Sequence, residues 1–340
     1  MWLYASIQPG AQPRGPVLGV SGDRFVVDEV SRFLVFLSYF DGIQRPDAAL
    51  NADLDYLSKQ GVDGIRVLPN WKAQLFGTDG TVHPAALEKL VALVTAAAAR
   101  GMVVDVTFTR ETSCPSGVSP ADPKCAFSVA EYTAAIVKVA TALKGHRNVL
   151  FDVQNESVIH FGKEEAASAP HPVAAIRGAI KAVDPDRLVT ASSAGGVPPG
   201  AFAAETRALG LDVLAYHDGR DSGPSHSAPN WVTRTPEVIA ALRGAAPALA
   251  DRRPIYLQEP TRFLAPHEDR GDGDDRPESY LQAVTLAKRA GAAAWTFHTP
   301  AGFALDSARL LESQAGEMGL LQAGEIEVLN GLRASLRAAN

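Results

Sequence analysis

Eight short apolar runs recur along this chain, each followed by a longer amphipathic stretch, and that alternation restricts the possible folds more than any other feature. The runs are Phe33–Ser38, Gly64–Leu68, Val103–Phe108, Val149–Val153, Leu188–Ala191, Val213–Tyr216, Ile255–Gln258 and Ala292–Phe297. Short, nearly continuous apolar segments of this kind read as strands buried on both faces of a parallel sheet. The stretches between them begin near Pro46, Pro84, Ser128, Pro172, Pro199, Thr235, Pro277 and Gln322. Several open on proline, which suits a first helical turn because the N–H that proline lacks would be unpaired there anyway. Eight strand–helix units in one uninterrupted series predict an α/β fold, a single (β/α)8 TIM barrel spanning residues 1–340. An open doubly wound sheet would carry a glycine-rich phosphate turn after its first strand, whereas here that strand runs into Tyr39-Phe40-Asp41-Gly42. Residues 1–30 form an N-terminal extension in which Arg24-Phe25-Val26-Val27 predicts a short β-hairpin able to plug the barrel floor.

Composition narrows the function. Hydrophobic residues at 46% and charged residues at 21% supply a large core. The net charge of −6, from 32 basic and 38 acidic residues, offers no basic surplus for nucleic-acid phosphates. Leu87–Ala99, the most apolar stretch, is interrupted by Glu88, Lys89 and Thr95 and is too short to span a bilayer, so no membrane partner is expected. The opening MWLYASIQPGAQPRGP lacks a basic start and a long apolar run, so a signal peptide is expected to be absent or already removed. Cys114 and Cys125 share one Pro/Ser-rich loop; a disulfide there would suit a secreted or periplasmic setting, and two unpaired thiols would suit the cytoplasm. Histidine pairs at metal-ligand spacing are missing from the strand ends, and no cofactor is expected.

In such a barrel the chemistry gathers where strands end and the following loops begin. The second strand delivers Arg66, the fourth ends in Asn155-Glu156, the sixth in Tyr216-His217, the seventh in Gln258-Glu259, and the eighth carries Trp295. Strands four and seven of a closed barrel face each other across its mouth, so Glu156 and Glu259 can converge. Two converging carboxyl groups are what glycoside hydrolysis needs, one to protonate the leaving oxygen and one to attack the anomeric carbon.

With these residues in place the chain resembles the clan A glycoside hydrolases, most nearly the family 5 cellulase and mannanase group, as a divergent member. The resemblance implies a retaining β-glycosidase acting on an oligo- or polysaccharide, with Glu156 as acid/base and Glu259 as nucleophile. It also implies that Arg66 holds Glu259 ionised, that Asn155 bonds the sugar 2-hydroxyl, that His217 orients the carboxylates or binds substrate, and that Trp295 is a sugar platform. Two features depart from the pattern. The third strand lacks its usual histidine, reading Val104-Asp105-Val106-Thr107-Phe108-Thr109-Arg110, and His217 is followed by Asp218-Gly219-Arg220 where a tyrosine is usual. Those gaps leave room for a catalytically silent carbohydrate-binding barrel, or for a transglycosylase using the same glutamates.

Aromatic side chains at or beyond strand ends, Trp71 and Tyr39 foremost with Phe40 and Trp231, could line sugar subsites. Arg220 and Arg262 could pair with an acidic sugar. The run His267 to Asp275 clusters acidic residues among glycines but misses EF-hand spacing, so a solvated loop is expected in preference to a calcium site.

Overall fold

The computed structural model describes residues 15–70, 75–77, 80–110, 128–157, 161, 171–218, 230–244, 248, 252–263, 273–299, 321 and 323–339. Three short strands come first, β1 (Leu18–Ser21), β2 (Arg24–Val27) and β3 (Val30–Arg32). The barrel strands follow as β4 (Leu34–Ser38), β5 (Gly64–Val67), β6 (Val103–Thr107), β7 (Val149–Asp152), β8 (Leu188–Thr190), β9 (Leu214–His217), β10 (Ile255–Glu259) and β13 (Ala294–Phe297). A separate pair, β11 (Arg262–Phe263) and β12 (Gly273–Asp274), lies between the last two. The eight barrel strands form one parallel sheet in the order β8-β7-β6-β5-β4-β13-β10-β9. Its outer strands β8 and β9 also meet: Asp212 N donates to Val189 O, Ser193 N to Ala215 O and Thr190 Oγ1 to Val213 O. These bonds bring the ends of the sheet together as a barrel.

Helices alternate with the strands as α1 (Asp47–Gln60), α2 (Pro84–Ala98), α3 (Val129–Ala142), α4 (Pro172–Val183), α5 (Pro199–Ala208), α6 (Asn230–Gly244), α7 (Pro277–Arg289) and α8 (Ala323–Ala338). Local chemistry accounts for their limits. Ser128 and Glu131 form a reciprocal capping box at α3, and α2, α4, α5 and α7 carry proline in their first turn. Gly61, at φ +88°, ends α1 in the left-handed conformation. α6 starts a turn before its expected position near Thr235 and contains Pro236. Proline there has no N–H to offer Val232 O, and one carbonyl earlier the Thr235 hydroxyl donates to Trp231 O.

Side chains alternate along the regular parts of the barrel strands and separate two cores. Val35, Leu37, Ile65, Val67, Val104, Val106, Trp295 and Phe297 point outward and pack under the helices. Leu34, Phe36, Val103, Leu150, Leu188, Ala215, Tyr256 and Ala294 point inward and fill the lower barrel. The N-terminal segment is a three-stranded antiparallel sheet, one strand more than a hairpin, with Asp28 and Glu29 at positive φ in its β2–β3 turn. Leu18, Phe25 and Val27 join the lower core from below, with Phe25 edge-on to Tyr256 at 6.5 Å. The extension therefore plugs the floor and leaves the opposite, C-terminal mouth for chemistry. None of the described helices is long and apolar enough to cross a membrane.

Gly64 is glycine because the Phe36 ring occupies the space beside it; a Cβ there would stand 2.5 Å from the ring and 2.8 Å from Val103 O. Gly64→Ala should cost about 1–3 kcal/mol of overpacking, read as a lowered urea midpoint, and an unchanged midpoint would mean that the lower core is loosely packed.

Candidate active site

One arginine organises the upper barrel. Arg66, fully buried on β5, donates from Nη1 to Glu259 Oε1 at 2.5 Å, from Nη2 to Asn155 Oδ1 at 2.7 Å and from Nε to Thr107 Oγ1 at 3.0 Å. Its planar fork thus fixes side chains from three strands at once. Asp105 and Asp152 lie beneath it at 3.9 and 4.0 Å, and the Phe40 ring stacks against it at 5.2 Å. Burial by itself would lower the Arg66 pKa, and the three carboxylates more than offset that, holding it above the ordinary arginine value. A permanent cation here favours the ionised form of Glu259.

Glu156 is placed by backbone strain. It has φ +48°, in the left-handed region that non-glycine residues rarely adopt, outside any hairpin turn. Ser192, just past β8, pins the segment: its Oγ accepts from Glu156 N and its O from Ser157 N, while Asn155 N bonds Phe108 O. The outcome is a partly exposed Glu156 side chain, 27% accessible, while the Glu259 side chain is 9% accessible. Strain of this kind persists where surrounding bonds over-determine it, typically at functional sites.

His217 stands between the two carboxylates. Its Nδ1 is 3.6 Å from Glu156 Oε1 and its Nε2 is 3.8 Å from Glu259 Oε1. The same Nε2 is 2.8 Å from Gln258 Oε1, and Gln258 Nε2 donates to Asp105 Oδ2 at 2.7 Å and to Asp152 Oδ2 at 3.1 Å. On the other side His298 approaches Glu259 Oε2 at 3.6 Å through Nε2, with its Nδ1 paired to Ser38 Oγ at 2.8 Å. A register shift in β10 between Leu257 and Glu259 lets Gln258 and Glu259 both reach the barrel interior. Burial is the main force pushing the Asp105 carboxyl up to about 6; Arg66 opposes the rise and Asp152 adds to it.

Residues 35–234 match the family model described as Cellulase (glycosyl hydrolase family 5). The chain belongs to glycosyl hydrolase family 5. This family 5 enzyme is a glycosidase, and its fold is similar to those of solved glycoside hydrolases. A GH5_18 variant from Streptomyces cattleya, in complex with Manβ1-4GlcNAc, has a TM-score of 0.64 at 17% identity, over 90% of this chain and 79% of that one. An exo-β-1,4-mannosidase from Opitutaceae bacterium strain TAV5 scores 0.62 at 19% identity, over 94% and 63%. A β-mannanase from the blue mussel Mytilus edulis scores 0.56 at 15% identity, over 94% and 97%. No curated protein sequence is significantly similar to this one.

Of the residues singled out in the family 5 enzyme's sequence, the structure gathers Arg66, Asn155, Glu156, His217 and Glu259 at the mouth. Trp295, Tyr39 and Trp231 go elsewhere. Trp295 is fully buried and stacked on Phe297 at 6.3 Å in the outer core, so it is no sugar platform; its strand position has outward parity. Tyr39 also points outward, is 1% accessible, and donates its hydroxyl to Asp53 Oδ2 at 2.6 Å, with Phe40 facing the site in its place. Trp231 packs on Tyr280 at 5.1 Å and donates to Asp274, which also takes Arg276. Tyr216 donates to Val197 O and does not stand in for the missing tyrosine. Trp71, Arg220, Cys114, Cys125 and most of the acidic stretch from His267 lie outside the described residues. Sequence reasoning missed His298, Ser192, Gln258 and the Asp105–Asp152 pair; polar residues inside otherwise apolar strands were the available signal for the last three carboxylate and amide groups.

Two expectations follow. Trp295→Ala should cost about 3–5 kcal/mol of stability, while Trp295→Phe leaves KM unchanged; a raised KM in the Phe variant would return Trp295 to the site. Unfolded aspartate titrates near 4, so between roughly pH 4 and pH 6 the folded protein binds more protons through Asp105, and that share of stability is lost as pH rises. Asp105→Asn should flatten this slope in urea titrations, and parallel slopes would sink the assignment.

Proposed function

We propose that this family 5 enzyme cleaves β-glycosidic bonds of an oligo- or polysaccharide with retention of configuration, by double displacement. The observation that supports this reading is the Arg66 fork, which ties Glu259 and Asn155 together beside Glu156 at the barrel mouth. In the first step Glu259 attacks the anomeric carbon while Glu156 gives its proton to the departing glycosidic oxygen; the C–O bond breaks and a glycosyl ester forms on Glu259. In the second step Glu156 takes a proton from water, whose oxygen attacks the anomeric carbon and releases Glu259. Asn155 would bond the sugar 2-hydroxyl, a contact that strengthens as positive charge develops on the ring. His298 approaches the second oxygen of Glu259 and can help orient it.

The sugar is proposed to be β-linked and mannose-configured, since the similar structures named above include a β-mannanase and an exo-β-1,4-mannosidase. An exported location would suit such a substrate and a Cys114–Cys125 disulfide.

Exposure to 2-deoxy-2-fluoro-β-mannosyl fluoride followed by peptide mass mapping should label Glu259. Glu259→Gln should abolish labelling and lower kcat by about 10³ or more. Glu156→Ala should slow turnover by about 10²–10⁴ on substrates with poor leaving groups, and much less on activated aryl glycosides. Full activity in Glu259→Gln would overturn the mechanism. Labelling only by gluco- or galacto-configured probes would keep the mechanism and discard mannose.

A further inference from the structure

Gln258 is a neutral side chain that joins the buried acid pair to His217 at the mouth, and its orientation is dictated. Its Nε2 contacts two carboxylates, Asp105 at 2.7 Å and Asp152 at 3.1 Å. The swapped amide would set a carbonyl oxygen against both, so the NH2 must face the acids and Oε1 must face His217 at 2.8 Å. An amide oxygen only accepts, so His217 Nε2 carries a proton. In the neutral ring the other nitrogen, Nδ1, is then bare. That atom is buried, makes no hydrogen bond, and lies 3.6 Å from Glu156 Oε1.

The charged groups around the ring come from every neighbouring strand: Arg66 on β5, Asp105 on β6, Asp152 and Glu156 on and after β7, Glu259 on β10 and His298 after β13. We propose that Gln258, oriented by the Asp105–Asp152 pair, is a positioning residue that holds His217 as the Nε2–H tautomer and so turns a lone pair toward Glu156. This rests on the reading of Glu156 as acid/base. A bare Nδ1 accepts a hydrogen bond from protonated Glu156 and offers none to the ionised form. The ring thus favours the state from which Glu156 protonates the leaving oxygen. Once that proton has gone, the same lone pair favours its recovery from water. The opposite tautomer would donate to the carboxylate and oppose both transfers.

The tautomer can be read without substrate from long-range 1H–15N correlations of protein carrying ring-labelled histidine, with His217 assigned by loss of its signals in His217→Gln. The expected pattern has a protonated Nε2 and a bare Nδ1 at neutral pH; a protonated Nδ1, whether Nε2 is bare or protonated as well, overturns the proposal, and this result needs no variant of Gln258 to fold. Gln258→Met keeps side-chain length and removes all three hydrogen bonds. It should shift the ring toward the Nδ1–H form and move the basic limb of the kcat/KM profile down by roughly one pH unit. An unchanged tautomer, or a lower rate with an unmoved limb, overturns the proposal by reducing Gln258 to packing. A protein with the expected tautomer in wild type and variant, yet no turnover on any glycan, overturns the glycosidase mechanism alone.

Discussion

A single guanidinium inside a barrel holds the upper half of this molecule together. Arg66 has no water to solvate it, and an unpaired buried cation would be prohibitive. Its stability depends on the carboxylates of Glu259, Asp105 and Asp152, and theirs on it. Burial is what pushes the Asp105 carboxyl up to about 6, with Arg66 opposing the rise and the neighbouring Asp152 adding to it. The electrostatics of the mouth and of the layer beneath are therefore one problem with one solution, and the polar layer is no accident of packing.

Strand parity explains where that solution can be built. A residue on a barrel strand faces either the helices or the interior, and only interior residues above the apolar floor can meet. Phe36, Leu150 and Tyr256 fill the lower interior; Arg66, Asp105, Asp152 and Gln258 lie above them; Asn155, His217 and Glu259 reach the rim. The N-terminal sheet seals the other end, so polar side chains have only one way out.

The same rule shows what was legible in the sequence. Eight buried strands announced themselves as apolar runs, and polar residues closing those runs marked Arg66, Asn155, Glu156, His217 and Glu259 as neighbours at one end. Which parity faces inward was not legible for Ala292–Phe297, because a strand buried on both faces has no polar side to mark it. Trp295 was consequently assigned to the mouth when its position belongs to the outer core, and His298, one residue past the predicted strand, went unnoticed. Of the neighbouring candidates Tyr39 and Phe40, only Phe40 faces the site, and spacing alone does not tell them apart. Gln258 could not be interpreted from spacing, since strict alternation would place it and Glu259 on opposite faces.

The irregularity in β10 lets two consecutive residues share the barrel interior, one to touch the acid pair and the next to face the arginine. Anyone transplanting this site onto a regular barrel would have to copy the kink along with the side chains. On an unbent strand, the amide and the glutamate could never occupy the same room.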